Sequence, residues 1–140
     1  MLLRLITKFP PFHSGILCYV AMIKALLQPE LVVNNSELIR KNLSKLMGKL
    51  TVHLAAEDEV LYPELLRHDD GKVVQTAQKY LQELGDIKER FSAYCSKWAV
   101  APLIKNKPEE FIKETVELFR TLGKRIDLEE KELYRLADSL

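Results

Sequence analysis

The chain has 140 residues, 47% of them hydrophobic and 29% charged, enough for one domain with its own core. Lys and Arg number 21 against 20 Asp and Glu, and the resulting net charge of +1 excludes bulk attraction to nucleic acid or another polyanion. With 2 Cys there is no disulfide framework, and both thiols read as small buried hydrophobes.

The opening MLLRLITKFPPFH is too short and too interrupted for a signal peptide, and no small-residue cleavage site follows it. The first predicted helix runs from about Phe12 to Leu27, with the stripe Phe9, His13, Ile16, Val20, Ile23 and Leu27. Its apolar run from Gly15 to Leu27 is broken by Lys24 and is too short to span a bilayer, so a cytoplasmic protein is expected. Pro29 and the pair Asn34 and Asn35 mark a loop. Ser36 then serves as N-cap of a second helix that reaches about Arg67, with Glu37 in its first turn. The stripe of this helix is Leu43, Leu46, Leu50, His53, Glu57, Leu61 and Leu65, and HDDGK ends it. A third helix is expected from about Val73 to Trp98, with the stripe Ala77, Tyr80, Leu84, Ile87, Phe91, Tyr94 and Trp98. APLIKNKP reads as a loop, and Pro108 suits the first turn of a fourth helix, followed by Glu109 and Glu110 near its positive end. That helix carries Thr115, Leu118, Leu122, Arg125, Glu129, Leu133 and Leu136 on one face. Stripes that step by three and four belong to packed helices. Short connections between long helices favour antiparallel neighbours, so the expected fold is all-α: a single domain over residues 1–140, an up-down-up-down four-helix bundle.

The second and fourth helices repeat one another 72 residues apart. Leu46 maps to Leu118, Leu50 to Leu122, Glu57 to Glu129, Leu61 to Leu133 and Tyr62 to Tyr134, while Asp58 meets Glu130 and His53 meets Arg125. The first and third helices match at 71, Ile16 on Ile87 and Val20 on Phe91, with His13 falling on Leu84. The chain is therefore two pseudo-symmetric helix pairs.

The repeat isolates an oddity: an imidazole and a carboxylate on a stripe that otherwise holds leucines. Buried polar groups are costly unless paired, hydrogen-bonded or metal-bound. An HxxxE spacing places His53 and Glu57 one turn apart on one face, and nitrogen with carboxylate oxygen suits iron, zinc or manganese. Other readings stay open on these residues alone. HxxxE also describes a half-buried pair, His13 suits a helix end, and Arg125 with Glu129 makes an i, i+4 ion pair. His68 fits the negative end of its helix, Tyr62 and Tyr134 fit packing with the hydroxyl at the rim, and Gly48 and Gly85 fit close helix approach.

The stretches PFHSGIL, HLAAEDEVLYPEL and RIDLEEKELYRL resemble the hemerythrin and hemerythrin-like HHE cation-binding family over almost the whole chain. Members of that family hold a non-haem di-iron centre with bridging carboxylates, and they carry or sense oxygen or handle iron, nitric oxide or redox signals. The resemblance implies a metal position held by His13, His53, Glu57 and Glu129, with non-haem iron as cofactor and oxygen or nitric oxide as small-molecule partner. The pattern departs from the family where QELGDIKERF has Leu84 and the fourth helix has Arg125 in place of histidines, so the second metal position loses its imidazoles. Two expectations follow: a binding module with one surviving metal position, or a metal-free relic serving as scaffold or interaction domain, in which Arg125 pairs with Glu57 and Glu129. Neither is an enzyme, since no catalytic nucleophile arrangement, phosphate loop or CxxC pair is present.

Overall fold

The computed structural model describes residues 10–129 and 131, and the side chains among them from residue 15 onward apart from those of residues 60 and 84. The expectations for the side chains of His13 and Leu84, and those for Phe9, Glu130, Leu133, Tyr134 and Leu136, lie outside the described residues.

Every regular element described is helical. Helix α1 spans Pro10–Lys24, α2 Pro29–Asn34 and α3 Ser36–Ala56. A π-helical segment, Glu57–Leu61, joins α3 to α4, Tyr62–Leu66. Then come α5 (Gly71–Leu84), α6 (Ile87–Lys97), α7 (Ala101–Asn106) and α8 (Pro108–Leu128). The expected second and third helices are thus not single α-helices. In the second, the Tyr62 N–H donates to the Glu57 carbonyl five residues back, one more than in an α-helix. Pro63, which follows, has no N–H to give the preceding turn, so the winding loosens where a bond is already lost. The third helix breaks between Leu84 and Ile87 at Gly85 and Asp86, both poor helix formers. A Cβ at Gly85 would run into the Leu81 carbonyl of its own preceding turn, and one at Gly48 would meet open space, so neither glycine serves close approach of a neighbouring helix.

Both expected loops contain a short helix instead. Pro29 and Pro102 stand in the first turns of α2 and α7, where a missing N–H costs nothing and a fixed φ helps. Ser36 is the first residue of α3 rather than its cap; Asn35 holds that position and its amide donates back to the Leu31 carbonyl at 2.9 Å. The HDDGK turn both ends one helix and starts the next. The His68 Nδ1 accepts the Asp70 N–H at 3.0 Å, and the Asp70 carboxylate caps α5 by accepting the Lys72 N–H at 2.9 Å.

The short helices extend the internal repeat. α2 and α7 are each 6 residues, α3 and α8 each 21, and each pair stands 72 residues apart. Val32 and Ile104 are buried at equivalent places in the short helices, and Leu50 and Leu122 in the long ones. α1 packs on α3, α3 on α6, α6 on α8, and α8 back on α1, closing a ring of rods. Inside the ring lies a core that includes Ile16, Ile23, Leu43, Leu46, Leu50, Leu54, Ile87, Phe91, Leu118, Leu122 and Ile126. Each such side chain contributes roughly 1.5–3 kcal/mol on leaving water. Tyr94 adds a buried hydrogen bond, 2.6 Å to the Thr115 hydroxyl. A second apolar cluster, Leu61, Tyr62, Leu65, Val73, Ala77 and Tyr80, joins α4 to α5. Along the second rod His53 and Glu57 fall between Leu50 of the first cluster and Leu61 of the second, so the polar residues separate two dry regions. Cys95 is buried as expected, whereas Cys18 is exposed on the outer face of α1.

Candidate metal centre

His53 sits in the last turn of α3 and Glu57 one turn on, where the π segment begins. Arg125 and Glu129 occupy the equivalent end of α8, and residues 129 and 131 are again π-helical. All four are sealed from solvent, with exposures of 2% for His53, 0% for Glu57, 1% for Arg125 and 1% for Glu129. The inward stripe put them there: Leu50, Leu54, Leu122 and Ile126, all buried, each stand three residues before one of them, and their burial carries the polar residues inside.

The two carboxylates are divided between two neighbours. On one side, Arg125 Nη2 lies 3.2 Å from Glu57 Oε1 and Arg125 Nε lies 3.4 Å from Glu129 Oε1. On the other, His53 Nε2 lies 3.2 Å from Glu57 Oε2, while Glu129 Oε2 is buried with no hydrogen-bond donor among the described residues. Glu57 therefore bridges His53 and Arg125 with its two oxygens, and Glu129 turns Oε1 to the same guanidinium. A ligand atom from each of His53, Glu57 and Glu129 can be chosen so that the three lie within 4.8 Å of one another.

Among the described residues, acids outnumber the guanidinium in the cluster. Arg125 Nη2 also meets Asp58 Oδ1 at 3.0 Å, so one guanidinium faces three carboxylates. Burial raises the Glu129 carboxyl well above the usual carboxylate range, and the neighbouring Glu57 raises it further, against the pull of Arg125. Burial acts to lower the Arg125 pKa, but Glu129 and Glu57 outweigh it and hold the guanidinium firmly charged. Burial, then Glu129, pushes the Tyr62 hydroxyl far above its ordinary value.

The donor set fits one divalent cation. Imidazole nitrogen with carboxylate oxygens suits iron, manganese or zinc, and a buried carboxylate oxygen without a donor is the kind of atom a cation satisfies. His53, Glu57 and Glu129 are the expected ligands that the structure brings together; the side chain of His13 lies outside the described residues, although its backbone belongs to α1.

Arg125 points inward and touches both carboxylates, the arrangement expected if a guanidinium stands in for missing imidazoles. Asp58 was not expected in the site. It is adjacent to Glu57, and on an ideal α-helix that places it about 100° around the axis, away from the stripe; hydropathy spacing gives no sign of the wider π turn. Tyr62 is buried rather than rimward, its ring 5.4 Å from the Arg125 Cζ in a cation–π contact.

A family model described as the hemerythrin HHE cation binding domain matches residues 13–137. No curated protein and no solved structure matches the chain. The matched span takes in the buried His53, Glu57 and Glu129 cluster and both halves of the repeat, and the chain belongs to the hemerythrin HHE cation-binding domain family.

Proposed function

We propose that this chain is a cation-binding module that holds one divalent metal ion between His53, Glu57 and Glu129, with His13 as fourth ligand, while Arg125 takes the place of a second ion. The observation that carries the reading is the division of the carboxylate oxygens: both Oε1 atoms contact Arg125, Glu57 Oε2 contacts His53, and Glu129 Oε2 is buried with no donor among the described residues. The reading includes an up-down-up-down arrangement of the four rods, which puts the ends of α3 and α8 beside the start of α1. Non-haem iron suits the mixed imidazole and carboxylate set, and it would supply a redox-active centre open to a small ligand such as oxygen or nitric oxide. The chain's own part is to hold the ligands in a dry pocket and keep a fixed cation beside them. Binding or sensing in the cytoplasm, without catalysis, fits that part.

The alternative is a metal-free scaffold, favoured by the contacts of Arg125 with both carboxylates. Elemental analysis of protein purified without chelator, with thermal melts before and after chelation, separates the two. The proposal expects metal near one equivalent and a melt that falls on chelation, because metal bound only by the folded chain adds to its stability. No metal, and a melt indifferent to chelator and to added ferrous iron, would leave the scaffold reading standing.

A further inference from the structure

We infer that Asp58 is a positioning residue which gives the Arg125 guanidinium an anion of its own, so that the guanidinium and a divalent cation can share the two bridging carboxylates. The inference rests on the single-ion reading above. An ion held by His53, Glu57 and Glu129 would share the two carboxylates that Arg125 contacts, so both positive groups would draw on the same negative charges. A dication bound there would draw on the charge of both carboxylates and repel the guanidinium. Asp58 Oδ1, at 3.0 Å, lies nearer to Arg125 than Glu57 Oε1 or Glu129 Oε1 does and does not belong to the ligand cluster. The Asp58 side chain is 27% exposed, while those of Glu57 and Glu129 are sealed, so its contact with the guanidinium is made at lower desolvation cost. The π segment makes the contact possible. A wider turn rotates successive residues by less than the 100° of an α-helix, and Glu57 and Asp58 reach one guanidinium from adjacent positions.

The test is a double-mutant cycle read by calorimetric zinc titration, zinc being redox-inert and suited to the same donors. Asp58→Asn should weaken zinc binding about tenfold in the natural background, and about twofold or less when Arg125→Gln has removed the group Asp58 acts through. Asp58→Glu should restore binding. A loss in the Arg125→Gln background within threefold of that in the natural one would mean that Asp58 attracts the ion by its own charge, and it would overturn the inference, as would no loss at all. If Arg125→Gln fails to fold by circular dichroism, the Arg125 Nε–H resonance decides. It should stay slow to exchange in zinc-loaded wild type and become fast in zinc-loaded Asp58→Asn; equal exchange in both sinks the idea. Wild type that binds no zinc, iron or manganese would instead overturn the single-ion reading itself.

Discussion

Arg125 stands 72 residues after His53, and the two side chains touch different oxygens of the same carboxylate, Glu57. Reading the stripes was enough to send both inward, because the leucines before and after them fix which face is buried. What spacing could not reveal is which oxygen each would meet, or that Asp58 would join them. Removing the guanidinium should expose its part in the charge balance. In chelated protein, Arg125→Ala should lose about 3–5 kcal/mol in urea denaturation, the cost of leaving buried charges without a partner. Excess zinc should return part of that loss; a variant as stable as wild type in chelator would mean that the carboxylates need no cation. His53→Ala should differ in kind. It should cut metal content sharply, and in chelated protein it should cost only about 1–3 kcal/mol, the usual range for a truncated buried polar group. The cysteines give an independent check on burial. Burial pushes the Cys95 thiol up to about 11, whereas Cys18 is exposed. Iodoacetamide near pH 8 should therefore label Cys18 and spare Cys95 in folded protein, as read by mass spectrometry.

At the scale of elements, long amphipathic helices were legible and their interruptions were not. Period-3.6 patterning marks a buried face whether the backbone winds as α or briefly as π, so Glu57–Leu61 left no trace in the stripe. The short helices α2 and α7 hid behind prolines that read as loop signals but serve as helix starts. Their equivalence was nonetheless present in the sequence, since PELVVN and APLIKN stand at the same 72-residue spacing as the long helices that follow them. The turn at HDDGK offers the cleanest local test. Asp70→Ala removes the carboxylate that caps α5 and should cost about 0.5–2 kcal/mol with metal content unchanged. A change in metal content would show that the start of α5 is coupled to the site.

Across the whole molecule, two helix pairs of matching length and spacing have come to hold different chemistry at matching places. One half presents His53 and Glu57, the other Arg125 and Glu129, and Glu57 bridges from one half's chemistry to the other's. An imidazole can ligate a metal ion, whereas a guanidinium cannot and repels one, so under the proposed function the repeat's symmetry in backbone becomes an asymmetry in cation capacity. The measurement that tests this most directly is the anaerobic titration of metal-free protein with ferrous iron, comparing wild type with Arg125→His. Wild type should saturate at one ion per chain, and Arg125→His, which removes the fixed charge and returns an imidazole, should take up more than one. Two ions in wild type, or the same uptake in both proteins, would contradict the account.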